Sequence, residues 1–323
     1  MIEIQDGALV CRFSHVHRDA VCEIGFQRTL RIPDDNREHY LPPGLGHFPL
    51  EHVDDYAWNL PEAWATHGGV FLPMYQAEAM WLEFNTKRYP FAVLVAAGKI
   101  NAVSGETWNG GALRDDEQNY VVLPEQPWLD GFNVSEGQVR QFVAMPLGQG
   151  FTAEEQITGE AEHGGLQVIV VPMKREVYLD SLGSRPPADG IAMVKDCIAS
   201  EMGLAPGGLM RQAIEADPHG LDAWDTDAAA RCFVHIANSE HYQAITGELP
   251  PQEPVSAADY TAAGLPWFEH YTETPKVRGA DTLAGLDSVA ARRVKLGGEP
   301  EPPAGSGSKI IINTGKNAHN AGS

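Results

Sequence analysis

The sequence predicts an α+β fold with a β-rich, mostly antiparallel, sandwich-like N-terminal region, a helical C-terminal half, a linker and a terminal docking strand. Short runs of Val, Ile, Leu and Phe between turn residues fill the first 175 residues, which is typical of strands. Apolar residues at helical spacing dominate after residue 190, and a Gly/Pro/Ser-rich stretch precedes a short Ile run. We therefore expect four segments, which are residues 1–175, 176–296, 297–308 and 309–323.

The clearest strand signal is a pair of apolar runs around a Gly-Lys dipeptide. Residues 91–97 and 100–103 flank Gly98-Lys99, and glycine supplies the positive φ that a tight hairpin turn needs. One short helix interrupts this region at Thr152-Ala-Glu-Glu155, which matches a capping box. Similar apolar runs predict further strands at residues 8–13, 21–32, 79–84, 120–123, 139–145 and 166–173.

Helical spacing predicts the C-terminal half. Helices are expected over residues 191–202, 209–216 and 225–247, the last with a core-facing stripe that includes Cys232, Phe233 and Ile236. A brief helix should follow Ser256, and an amphipathic helix should cover residues 281–295. Residues 297–308 then form a flexible, proline-stiffened linker.

The composition indicates a folded, acidic globular protein. Of 323 residues, 43% are hydrophobic, and 23 Lys and Arg against 44 Asp and Glu give a net charge of −21. Such a charge repels phosphate, so we expect neither nucleic acid nor an anionic membrane surface as a partner. From Asp287 onward the chain carries five basic and three acidic residues, a charge of +2, which leaves −23 on the first 286 residues.

The cysteines and the N-terminal sequence predict a cytoplasmic location. The four cysteines are scattered, without a Cys-x-x-Cys pair or zinc-finger spacing. The N-terminal residues lack the features of a secretory signal, and no apolar run reaches the roughly 18 residues of a membrane-spanning helix. We expect no bound cofactor.

One pair of histidines suggests a metal site. His15-Val-His17 would place two imidazoles on one side of a strand, an alternation that metal sites in β proteins use. The spacing does not select a third ligand among His39, His47 and His52. An exposed surface pair is the simpler interpretation, and both remain open.

Two other patterns could carry hydrolytic chemistry. Cys232 and His235 lie three residues apart, although Cys232 falls in the apolar stripe and is better explained as a core residue. Paired carboxylates are abundant, and tryptophans could form a carbohydrate platform beside them, which is the arrangement that glycosidases use. Whether the chain is an enzyme stays open at this point.

The C-terminal segment is the most informative feature. A loose β-branched run is costly to leave in water, and a sheet edge is its natural partner. The partner-binding segment is therefore predicted to consist of Lys309, Ile310, Ile311, Ile312, Asn313 and Thr314. The sequence thus favours a non-catalytic protein that assembles with itself or with another protein by strand addition. The alternative is a hydrolase, either metal-dependent through His15 and His17 or carboxylate-based on a carbohydrate.

Overall fold

The computed structural model describes residues 1–35, 37–108, 110–182, 202–263, 267–271, 274–299 and 309–313. Strands account for 37% of the structure and helices for 21%. The predicted helix at residues 191–201, most of the linker at 297–308 and the tail from Thr314 onward lie outside the described residues.

The strands are β1 (Ile2–Gln5), β2 (Ala8–Arg12), β3 (Val21–Thr29), β4 (Glu38–His39), β5 (Gly44–His47), β6 (Glu51–His52), β7 (Val70–Met74), β8 (Ala79–Asn85), β9 (Phe91–Ala97), β10 (Ile100–Asn101), β11 (Val121–Leu123), β12 (Trp128–Leu129), β13 (Gly131–Ser135), β14 (Gln138–Pro146), β15 (Leu166–Pro172), β16 (Met202–Arg211), β17 (Ala230–Asn238), β18 (Trp267–Tyr271) and β19 (Lys309–Asn313). The α-helices are α1 (Glu62–His67), α2 (Ala153–Thr158), α3 (Arg175–Ser181), α4 (Tyr242–Thr246), α5 (Ala257–Ala262), α6 (Asp281–Ala284) and α7 (Val289–Lys295). Short 3₁₀ helices cover Val53–Asn59, Leu221–Ala223, Thr226–Ala228 and Ser239–His241.

Strands β1 to β17 form one large sheet, and β18 pairs with β19 in a separate two-stranded sheet. Most pairings in the large sheet are antiparallel, such as β3 with β8, β14 with β16, and β15 with both β9 and β17. Two pairings are parallel, β17 with β7 and β16 with β4. The main hydrophobic core lines this sheet from Leu9 to Leu286.

The predicted α+β fold class with a sandwich-like N-terminal region and a helical C-terminal half is wrong. Residues 209–211 end strand β16, and residues 230–238 form strand β17, where the sequence predicted helices. Both strands enter the large sheet beside β14 and β15. The sheet therefore continues through both halves of the chain, and the helices that accompany it are short.

The residues of β17 explain the error. Cys232, Val234 and Ile236 join the main core at every second position, which is the strand period, whereas Ala237 joins a different core. The same segment also matches a helical stripe. For a short apolar run, the spacing of apolar residues cannot distinguish a helix from a strand. Pairing with β15 on one side and β7 on the other favours the strand here.

Several local predictions are confirmed. Ala97 pairs with Ile100 across the Gly98-Lys99 turn, and Gly98 has the positive φ of +57°. Thr152 and Glu155 form the expected capping box at the start of α2. The single helix predicted over residues 281–295 is instead two helices, α6 and α7. Among the described residues, no helix has both the length and the apolar character needed to cross a membrane.

Candidate functional site

Strand β18 is fixed to the body of the protein by a tryptophan. Trp267 is 7% exposed and belongs to a satellite core that also contains Leu41 and Met210. Its ring meets Tyr260 edge-on at 5.8 Å between centroids, and its indole N–H donates to the Thr261 hydroxyl at 3.3 Å. Since Tyr260 and Thr261 lie on α5, whose first turn is capped by Ser256, the helix holds the start of β18.

One edge of β18 contacts the main body through its backbone. Leu41 and Phe268 exchange two N–H···O bonds of 2.8 and 2.9 Å. Leu41 lies two residues after β4, which pairs with β16 of the large sheet. This bridge and the Trp267 anchor both hold β18 without any contribution from the C-terminal segment.

The other edge of β18 holds the predicted docking segment. Strand β19 runs parallel to β18, with register partners from Trp267 and Lys309 to Tyr271 and Asn313. Because successive residues of a strand direct their N–H and C=O groups to opposite edges, Phe268 faces Leu41 while Glu269 faces β19. Five of the six predicted partner-binding residues thus lie in a strand paired with its own chain, and Thr314 lies outside the described residues. Their binding to a partner stays a prediction.

The histidines of the predicted metal site lie in the turn between β2 and β3 rather than on a strand. His15 is exposed, whereas the ring of His17 stacks on Tyr89 with 5.7 Å between centroids. The Nδ1 atom of His17 accepts a hydrogen bond of 3.1 Å from the Asp19 amide. No group of three or more His, Cys, Asp or Glu side chains suited to a metal ion occurs in the described part of the chain. Metal binding by this pair stays a prediction.

The alternative thiol chemistry has little support in the geometry. Cys232 is 5% exposed, and burial raises the pKa of its thiol to about 12, so the thiolate is scarce at neutral pH. His235 is buried as well, and burial lowers its pKa to about 4. Its Nε2 atom lies 3.1 Å from the Gly68 carbonyl, and its ring stacks on Trp64. Side chains alternate between the two faces of a strand, and Cys232 and His235 are three residues apart on β17. They therefore point to opposite faces of the sheet.

Sequence reasoning missed a buried acid–imidazole pair. Glu154 on α2 is 1% exposed, and neither carboxylate oxygen has a hydrogen-bond partner among the described residues. The Nδ1 atom of His163 lies 3.7 Å from Glu154 Oε1 and is also without a hydrogen-bond partner there. A Cβ on Gly98 would lie 2.1 Å from Glu154 Oε2, so the hairpin turn fits over this carboxylate only with glycine at that position.

The environment of this pair favours the uncharged form of both groups. Burial raises the pKa of Glu154 to about 7, although the nearby Lys99 ammonium and two backbone amides oppose the rise. Burial, followed by the positive charge of Lys99, lowers the pKa of His163. Lys99 itself is paired with Glu160 and Glu162 at the surface. The pair can therefore hold or release a proton near neutral pH.

The sequence contains only a partial indication of the Glu154–His163 pair. The capping box correctly located α2, but it gave no reason to place Glu154 inside the protein and Glu155 at the helix cap. Only the packing of α2 against the β9–β10 turn makes that distinction.

No protein-family model, curated protein or solved structure matches this chain.

Proposed function

We propose that this protein is a non-catalytic cytoplasmic assembly or binding protein whose C-terminal segment adds as a strand to the edge of β18. The observation that carries the proposal is the parallel pairing of β19 with β18, a strand that the Trp267 anchor and the Leu41 bridge already hold in place. Such a preformed edge can accept an equivalent strand from a second copy of the chain. Exchange of an identical segment between copies is a low-cost route to oligomers.

The strength of the pairing is compatible with exchange. Backbone hydrogen bonds contribute about 0.5–1.5 kcal/mol each, so a five-residue strand is held by only a few kcal/mol. The flexible linker that the sequence predicts for residues 297–308 would give the strand an effective concentration of about 1 mM at its own β18. We therefore expect the chain's own β19 to occupy the edge at low protein concentration, and exchange to appear as the concentration rises.

Charge should assist docking on a neighbour. The segment from Asp287 onward carries +2 and the rest of the chain −23, so the segment is attracted to any copy of the body. The attraction is screened by salt, with a Debye length of about 8 Å at physiological ionic strength. Assembly should accordingly weaken as the salt concentration increases.

Light scattering after size exclusion tests the proposal. The protein is measured over a range of concentrations, and the same series is measured for a variant ending at Gly297. A second variant carries Ile311→Pro with Ile312→Pro, because two consecutive prolines remove at least one N–H that faces β18. Its matched control is Ala318→Pro with Asn320→Pro, outside the paired strand.

We expect a larger species at high concentration for the wild type and the control, and a monomer for the truncated and Ile311/Ile312 variants. A mass that is identical in all four proteins at every concentration would contradict self-assembly through this strand.

A further inference from the structure

A second surface, formed by segments outside β18 and β19, carries an unusual combination of charge and exposed apolar area. It consists of residues 53–68 and 239–256, and we call it the acidic tryptophan face. The side chain of Asn59 donates to the Ile245 carbonyl at 3.1 Å, which joins the Val53–Asn59 helix to α4. A small core beneath the face contains Trp64 and Tyr242.

The face carries only one sign of permanent charge. Residues 53–68 contribute Asp54, Asp55 and Glu62, and residues 239–256 contribute Glu240, Glu248 and Glu253, without a single Lys or Arg in either segment. All six carboxylates are on exposed residues. Arg28 reaches the second segment through the Gln252 carbonyl, but it also pairs with the buried Glu78 and is itself 14% exposed.

Two large apolar side chains stand in this acidic surface. Trp58 is 77% exposed and Leu249 is 73% exposed, and only Met1 is more exposed among the large hydrophobic residues described. Tryptophan buries about 150–250 Å² when it is covered, and it is strongly enriched at the energetic centres of protein interfaces. An indole face also attracts Lys and Arg by a cation–π interaction.

We propose that the acidic tryptophan face binds a segment of a partner protein that combines Lys or Arg with apolar residues. Charge complementarity selects this occupant, since the face repels nucleic acid and anionic lipid, and two copies of the face repel each other. The apolar residues of the partner cover Trp58 and Leu249, and its cations face the six carboxylates. Binding at this face does not require assembly of the tail, because none of its residues belongs to β18 or β19.

A fluorescein-labelled amphipathic peptide of Lys and Leu is the probe, and its affinity for the full chain is measured by fluorescence anisotropy at low and physiological salt. Three variants are compared with the wild type. They are Trp58→Ala, Asp54→Asn with Asp55→Asn, and the matched control Asp222→Asn with Asp227→Asn. The control removes the same charge from exposed residues of another surface. A peptide of Lys and Gly serves as the probe without apolar residues.

We expect Trp58→Ala to weaken binding of the Lys/Leu peptide about tenfold and the Asp54/Asp55 variant severalfold, with the control within about twofold of the wild type. The Lys/Gly peptide should bind much more weakly. The proposal would be overturned if Trp58→Ala bound like the wild type and the Asp54/Asp55 variant bound like the Asp222/Asp227 control, because the net charge alone would then explain the binding. Failure of the Lys/Leu peptide to bind at low salt, or equal binding of the Lys/Gly peptide, would overturn it as well. All substituted residues are exposed, so an unchanged unfolding temperature is the check on folding.

Discussion

At the scale of single residues, Glu154 and Gly98 form an interdependent pair. The carboxylate lies under the β9–β10 turn at a site that only glycine can cover, and burial makes its ionisation costly. A carboxyl that is kept mostly neutral up to about pH 7 packs in this site, whereas the Lys99 ammonium and the backbone amides of Lys99 and His163 compensate the charged form only in part.

Replacing Glu154 by Gln should stabilise the protein above neutral pH. The pKa of Glu154 rises from 4.5 to about 7 on folding, so the native state holds this proton longer than the unfolded state. Stability is therefore lost as the pH rises from about 4.5 to about 7, and it stays at the lower level above that. We expect Glu154→Gln to gain on the order of 1–2 kcal/mol over the wild type at pH 8 and little at pH 4. Urea unfolding at the two pH values measures this, and an equal difference at both would be inconsistent with the buried charge.

Replacing Gly98 by Ala should destabilise the protein by more than backbone strain alone would. Gly98 and Gly137 both have positive φ, of +57° and +79°, but a Cβ on Gly137 meets no atom within 4 Å. The strain of about 1 kcal/mol is common to Gly98→Ala and Gly137→Ala. Only the first adds overlaps, since its Cβ would lie 2.1 Å from Glu154 Oε2 and 2.6 Å from the His163 carbonyl oxygen. We expect Gly98→Ala to cost at least about 1 kcal/mol more in unfolding free energy than Gly137→Ala. Equal costs would show that the carboxylate does not lie under the turn.

At the scale of elements, the sequence predicts those turns, caps and strands that are determined by residues close together in the chain. The Gly98 turn and the Thr152 capping box follow from local patterns, and the structure confirms them. It also confirms the strands predicted from apolar runs, which are β2, β3, β8, β9, β10, β11, β14 and β15. Strands β16 and β17 could not be predicted in this way, since their assignment depends on partners about 30 or more residues away in the chain. The contact between Glu154 and His163 likewise arises from packing of α2 on a distant turn, to which local periodicity is blind.

The anchoring of β18 makes a separate prediction. Trp267→Ala removes the largest side chain of the satellite core, which should cost about 3 kcal/mol in that region. The satellite core includes Val139 of β14 and Met210 of β16, whereas β9 and β15 belong to the main core. Hydrogen exchange should therefore accelerate in β18, α5 and the adjoining ends of β14 and β16, and stay slow in β9 and β15. The control is Trp58→Ala, which is exposed and should leave exchange unchanged throughout. Uniform acceleration across the large sheet would contradict a separate satellite core.

At the scale of the whole molecule, two buried acids, one on α2 and one between β12 and β13, link stability to pH. Asp130 is fully buried, and burial raises its pKa from 3.8 to about 7, as it does for Glu154. The native state disfavours the ionised form of both side chains. The free energy of unfolding therefore falls as the pH rises from about 4 to about 7. The variant Asp130→Asn with Glu154→Gln should gain stability over the wild type across this range and show a constant advantage above it. Thermal unfolding from pH 4 to pH 9 measures the difference, and an advantage that does not change with pH would contradict the account.

The boundary expected near residue 175 stays a prediction, as does the cytoplasmic location. The fold supplies the proposed function with strand β18. The Leu41 bridge and the packing of Trp267 hold this strand on the main body, and its other edge pairs with the C-terminal segment. The two proposed functions lie at two places, the edge of β18 and the acidic tryptophan face, and each is tested by its own set of variants.

A disulfide cross-link between two copies is a direct test of strand exchange at β18. Glu269 and Ile311 are register partners on β18 and β19, at a spacing of neighbouring strands that a disulfide can bridge. One copy carries Glu269→Cys and the other Ile311→Cys, each with Cys197→Ser, and the two are mixed at high concentration under mild oxidation. The account predicts a covalent heterodimer that grows with concentration and disappears when the second copy also carries Ile312→Pro. The contradicting result is a cross-link that forms within a single chain carrying both cysteines while the mixture stays monomeric at every concentration.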